Sequence, residues 1–172
     1  MTPPARITVG FTLNAAAFTV AVEPRETLAA VLYGEARLAG VHVGCDDGSC
    51  GSCTVIVDGQ PVRACTMLAV QADQRDVRTV ESLAGDELHP LQRAFAENFA
   101  VGCGFCTPGF LMLAVAAFER NPSMGDEDLV ELASANMCRC TGYQGILRAL
   151  KAGRQQIAGQ QAQPRGASRV AE

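Results

Sequence analysis

Apolar and polar or small residues alternate along two early segments, residues 6–14 and 18–22. A side-chain period of two marks a strand with one buried face, and the short link between the segments predicts a β-hairpin. Thr27 then stands as an N-cap before Leu28, Val31 and Leu32, whose spacing predicts a helix. Residues 54–57 and 61–64, joined through Asp58-Gly59, predict a second hairpin with a tight turn. Residues 77–80 predict a further strand. From His89 the period lengthens, and helices are predicted over residues 90–99, 108–119, 126–137 and 145–155. The first places Leu91, Ala94, Phe95 and Phe99 on one face. The second is apolar nearly all round, the mark of a helix central in a bundle or buried against a partner. The third carries acids in its first turn, which favours the macrodipole. The fourth turns Ile146, Leu147 and Leu150 inward and Arg148 and Lys151 outward. Residues 158–172, rich in Gln, Ala, Gly and Ser, are expected to be mobile or ordered only by a partner. The pattern divides the chain into a mixed β/α unit over residues 1–80, a helical unit over 81–157 and a tail. No repeat of solenoid length is present.

Composition narrows the class. Of 172 residues, 48% are hydrophobic and 19% charged, which is a globular composition. The net charge of −4 leaves no basic footprint for nucleic acid. The longest apolar run, residues 110–118, is too short to span a bilayer, so no membrane insertion is expected. The stretch MTPPARITVGFTL shows neither a charged segment followed by an apolar one nor a pair of arginines. Eight cysteines would suit four disulfides in a secreted protein. With no leader visible, a reducing cytoplasm is expected instead, with the thiols as cofactor ligands. Units of about 75 residues are marginal on a hydrophobic core alone, and a metal centre in each would add the missing cohesion.

The thiols fall into two sets. Cys45, Cys50 and Cys53 follow the spacing C-x4-C-x2-C, and Cys65 comes after them. This is the ligand spacing of a plant-type [2Fe–2S] cluster. Gly44, Gly48 and Gly51 suit a loop folded over such a core, where backbone N–H groups approach the sulfurs. Asp46, Asp47, Ser49 and Ser52 are turn formers. A disulfide loop or a four-cysteine zinc site is the alternative, but zinc loops use C-x2-C or C-x4-C pairs rather than this triple.

The second set is Cys103 and Cys106, then Cys138 and Cys140. By spacing alone it is ambiguous between zinc and iron–sulfur. Thr107-Pro108 after Cys106 predicts an N-cap and first helical residue, and Thr141-Gly142-Tyr143 repeats the theme after Cys140. Both pairs are therefore expected at helix N-termini, where free N–H groups and the positive dipole end favour an anionic cluster.

The strings GCDDGSCGSCTV, CGFCTPG and CRCTGYQ, in this order, resemble the iron–sulfur small subunit of the molybdenum hydroxylases, the family of xanthine dehydrogenase, aldehyde oxidoreductase and carbon monoxide dehydrogenase. The resemblance covers about residues 5–155. It implies an α+β fold, with a plant-type ferredoxin-like β-grasp domain followed by a four-helix bundle-like domain. It implies two [2Fe–2S] clusters, one on Cys45, Cys50, Cys53 and Cys65 and one on Cys103, Cys106, Cys138 and Cys140. It further implies a large partner subunit with molybdopterin and a medium subunit with FAD, assembled as a dimer of heterotrimers. Cys140 is the ligand expected nearest the pterin. The family carries Gln before CGFC, in contact with the pterin; Gly102 stands there in this chain. It leaves the contact to backbone or water, and it either opens a pocket or carries a positive φ that a side chain would strain. His42 and His89 read as surface or helix-cap residues. Arg139, between two thiols, reads as a screen for cluster charge or as a solvated side chain. No Ser/His/Asp or paired-carboxylate constellation suggests chemistry on a substrate. The function expected is electron transfer within an oxidoreductase complex. A free-standing two-cluster ferredoxin and a zinc-stapled binding module are the alternatives.

Overall fold

The computed structural model describes residues 4–162 apart from Ala84. The first hairpin forms from β1 (Ile7–Leu13) and β2 (Ala16–Val22), closed at Asn14 and Ala15. Thr27 caps α1 (Leu28–Gly34), its Oγ1 accepting from Ala30 N–H at 3.2 Å. The second hairpin joins β3 (Thr54–Val57) to β4 (Gln60–Arg63). Its turn residues Asp58 and Gly59 have φ of 48° and 77°, the pair of positive values a two-residue type I′ turn requires. The strand expected over residues 77–80 is β5, Asp76–Arg78. The sheet order is β2-β1-β5-β3-β4, with β1 and β5 parallel and the other neighbours antiparallel. This mixed sheet, with α1 packed on it, is the β-grasp half of an α+β fold.

All of β3 is buried, and its alternation sorts two cores. Val55 and Val57 face α1 among Val9, Phe11, Val22 and Leu32, whereas Ile56 points the other way into the helical core. The helices are α2 (Pro90–Glu97), α3 (Thr107–Arg120), α4 (Asp126–Ser134) and α5 (Gln144–Ala162). As its composition predicts, α3 is central, with residues 109–116 and Phe118 all buried. It packs on β3 and β4 and also on α2 and α4, while α2 packs on α5. No helix among the described residues is long and apolar enough to cross a membrane.

Three boundaries differ from the pattern. Helix α2 stops at Glu97 because Asn98 caps it and Phe99 turns to φ +53°. Helix α4 stops at Ser134, since Asn136 and Met137 are drawn to the first thiol loop. Helix α5 runs to Ala162, so the stretch given above to a mobile tail begins helical; residues 163–172 lie outside the described residues.

Candidate metal centres

The first thiol set gathers where β3 leaves the 45–53 loop and β4 returns. The β3–β4 hairpin fixes this return: Ala64 N–H donates to Cys53 C=O at 3.3 Å, and Cys65 N–H to Cys53 Sγ at 3.4 Å. Across the loop, Cys50 N–H donates to Cys45 Sγ at 3.4 Å. The backbone N–H and then the side chain of Cys50 bring the Cys45 thiol down to about 7. Burial, then Cys53, pushes the Cys65 thiol up to about 12. Gly48 and Gly51 have φ of 82° and 74°, while Gly44 does not need that region.

The second set comes from two loops of the helical half. Cys106 itself caps α3, so Thr107 is the first helical residue rather than the cap. Cys140 lies upstream of α5, separated from its first residue Gln144 by a turn in which Gly142 and Tyr143 have φ of 62° and 67°. The expected pair of helix N-termini is therefore one. Cys103 meets Cys140 and Cys106 meets Cys138 through their side chains. The Phe105 N–H, then Cys140, lowers the Cys103 thiol. Burial, then Cys138, pushes Cys106 up to about 12. Burial is the largest influence on Cys138 and opposes its ionisation, but hydrogen bonds from Thr141, Cys140 and Cys106 together lower the thiol; its Sγ lies 3.2 Å from Thr141 Oγ1.

Gly102 lies against Cys140. Its φ is not positive; what it lacks is room. A Cβ there would stand 2.6 Å from Cys140 Cβ and 3.6 Å from Cys140 Sγ. Arg139 is exposed and lines, with Cys138 and Cys140, a cavity of about 250 Å³. The same cavity is lined by Cys103 and Cys106, which completes the second set, and by Cys50 alone of the first. His89 caps α2, its Nδ1 accepting from Leu91 N–H at 3.2 Å.

The donor chemistry fits two iron–sulfur cores. Each set offers four thiols. Among the described residues no three His, Cys, Asp or Glu side chains close on one point as ligands of a single ion would. The thiols come instead in adjacent pairs, Cys45 with Cys50, Cys53 with Cys65, Cys103 with Cys140 and Cys106 with Cys138. Two pairs per set suit a core of two irons. Iron held at these thiols would take the place of the protons that burial keeps on Cys65 and Cys106.

Residues 11–84 match the 2Fe-2S iron-sulfur cluster binding domain, and residues 79–151 match a second [2Fe-2S] binding domain. The nicotine 6-hydroxylase small subunit of Paenarthrobacter nicotinovorans is 48% identical over 148 residues, which is 86% of this chain and 90% of that one. The nicotinate dehydrogenase small FeS subunit of Eubacterium barkeri is 42% identical, over 85% of this chain and 94% of its own. The crystal structure of quinoline 2-oxidoreductase from Pseudomonas putida 86 contains a chain that superposes with a TM-score of 0.85 at 39% identity, over 90% of this chain and 97% of that one. The chain belongs to the iron–sulfur small subunits of the molybdenum hydroxylases. It is an electron-transfer subunit of an oxidoreductase, built from two [2Fe–2S] domains.

In this small subunit, several residues that the spacing argument passes over hold the two thiol loops together. Met137 N–H donates to Cys50 C=O at 2.9 Å, and Asn136 Nδ2 donates to Gly51 C=O at 3.3 Å. Asn136 is buried, and its Oδ1 has no partner among the described residues. A Cβ on Gly51 would stand 2.0 Å from that oxygen, so the approach requires glycine. The Tyr143 hydroxyl accepts from Cys138 N–H at 2.8 Å and donates to Asn136 C=O at 3.0 Å, which fixes the turn before Cys138. Arg63 donates to Ala135 C=O at 2.5 Å from the end of β4. Only the sequence neighbourhood of Asn136 and Tyr143 to Cys138 hints at such roles; the Gly51 partner of Asn136 lies far away in the chain.

Proposed function

We propose that Cys45, Cys50, Cys53 and Cys65 ligate one [2Fe–2S] cluster and Cys103, Cys106, Cys138 and Cys140 the other. In this reading residues 1–80 and 81–157 are the two cluster-holding units. Electrons from a molybdopterin centre on a large subunit leave through them to FAD on a medium subunit, in a cytoplasmic dimer of heterotrimers. When bound, the clusters supply one-electron acceptance and release. The chain's own part is to hold the thiols, exclude water around them and aim N–H groups at the sulfurs, which tunes the potentials. The observation that carries the reading is one cavity lined by all four thiols of the second set and, from the first thiol loop, by Cys50.

Exposure supports an order. Cys103 and Cys140 are exposed, while Cys53 and Cys65 are buried and Cys45 and Cys50 half-buried. The outward pair suits the side facing the molybdopterin subunit, with Cys140 and the Gly102 backbone nearest the pterin. The test is metal analysis of the purified complex with electron paramagnetic resonance. Four iron and four acid-labile sulfide per chain are expected, two of each per cluster. Cys50→Ser and Cys106→Ser should each remove one, and a different, resonance signal. Zinc in place of iron, or both signals lost in either variant while the fold persists, would reject the assignment.

A further inference from the structure

His42 stands outside both thiol sets, three residues before Cys45, yet it reaches across to the helical half. Its Nδ1 lies 2.7 Å from the carbonyl oxygen of Phe105. The two rings stack, with centroids 4.7 Å apart and planes 17° apart. Phe105 sits between two thiols of the second set, Cys103 and Cys106. Its ring edge closes on the backbone of Gly44, where an added Cβ would stand 3.1 Å from Phe105 Cε1. The ring of Phe105 is therefore held on one side by His42 and on another by Gly44, both in the segment that enters the first thiol loop.

The backbone of Phe105 is engaged on both sides as well. Its N–H lies beside the Cys103 thiol and is the first cause of that thiol's lowered value. Its C=O is taken by His42. A carbonyl only accepts, so the proton of that bond resides on Nδ1. The preceding Gly104 has φ +85°, so the loop turns through a conformation that side-chain-bearing residues resist. A loop of this kind needs an anchor to keep its N–H groups aimed at sulfur.

We propose that His42 is a positioning residue for the helical-half cluster, holding the Phe105 peptide so that its N–H stays on Cys103 sulfur, from a place in the sequence that belongs to the other half. The inference rests on the assignment of Cys103, Cys106, Cys138 and Cys140 to one cluster. His42 is not one of the eight thiol residues and acts through the Phe105 peptide. N–H···S hydrogen bonds stabilise the more negative reduced state and raise the potential. Loosening the anchor therefore lowers the potential of that cluster and leaves the other one in place.

The test uses the complex purified with its partner subunits. In His42→Phe the stack is kept and the hydrogen bond is lost; in His42→Asn a donor is kept and the ring is lost. Redox titration followed by electron paramagnetic resonance reads each cluster separately, and iron content is measured alongside. His42→Phe should lower the midpoint potential of the helical-half cluster and broaden its signal, with the N-terminal signal unmoved. Selective loss of half the iron, with the helical-half signal gone, also supports the proposal. His42→Asn should recover part of the potential. An unchanged helical-half potential and signal in His42→Phe, a change confined to the N-terminal cluster, or loss of both clusters together would overturn it. The cysteine variants above fail independently: they test which thiols bind, whereas His42→Phe tests how one loop is held.

Discussion

Gly102 shows how much a single side chain decides. Its Cβ position stands 2.6 Å from Cys140 Cβ, an atom fixed to its own backbone and unable to rotate aside. Gly102→Ala and Gly102→Gln must therefore both displace the Cys140 loop, at an overpacking cost of about 1–3 kcal/mol. The Gln variant adds a side chain able to hydrogen-bond, worth about 0.5–1.5 kcal/mol net, which does not offset the displacement. Both variants should weaken the helical-half resonance signal and lower molybdenum occupancy and turnover. A gain with Gln alone would reveal a pocket shaped for it and refute the steric account. The gathering of Cys45, Cys50 and Cys53 was legible in the sequence, because their spacing is local; the second set, split between two loops, was ambiguous by spacing alone. The crowding at Gly102 was not; the sequence showed a missing Gln, and the reason lay on another loop. Asn136 was hidden for the same cause. Asn136 meets Gly51 from 85 positions away, and nothing in either neighbourhood announces the partner.

At the scale of elements, the alternating and helical periods identified the strands and helices, and the misplaced ends have physical causes. Apolar positions continue past Glu97 and Ser134, so the period alone extends both helices. The chain stops them because the following residues are committed elsewhere, Phe99 to a left-handed turn and Met137 to a backbone bond with Cys50. The acids expected to favour the start of α4 do more than meet its dipole. Asp126 binds Lys151 at 2.5 Å and Arg154 at 2.9 Å, which ties α4 to α5. Lys151 first, then Arg154, holds the Asp126 carboxyl below its ordinary 3.8. A carboxyl whose folded value is depressed stabilises the fold fully above its unfolded value and loses that contribution as the pH falls through the folded one. Asp126→Asn should thus melt slightly below the wild type near neutral pH. The gap should narrow as the pH approaches and passes 3.8, and shrink in high salt. The effect is small, because the Asp126 side chain is 57% exposed and water screens the pair. A gap that widens on acidification would contradict this sign.

Across the whole molecule, the two halves share one strand and one cavity. Ile56 on β3 belongs to the helical core, and a Cβ on Gly109 of α3 would stand 2.2 Å from the Gly51 carbonyl oxygen. The start of α3 thus rests on the first thiol loop with no space between them. Arg78 adds a two-bond pair with Glu119, at 2.9 and 2.6 Å. Such contacts keep the two thiol sets at a constant separation, which an electron carrier needs and a flexible tandem of domains lacks. The proposed order of transfer makes a prediction that separates the two sets. If the outward thiols Cys103 and Cys140 belong to the cluster beside the pterin, the N-terminal cluster faces the exit. In the complex with Cys50→Ser, substrate should then still reduce the molybdenum centre and the helical-half cluster. Delivery to the external acceptor should fall by orders of magnitude, because the bound Met137–Cys50 junction no longer leads to a working centre. Rapid-freeze resonance spectra after mixing with substrate read the first part, and steady-state turnover with the acceptor reads the second. Normal acceptor turnover, with the N-terminal cluster verified absent, would reverse the order or bypass the cluster altogether. Loss of substrate reduction itself would place the N-terminal set beside the pterin instead.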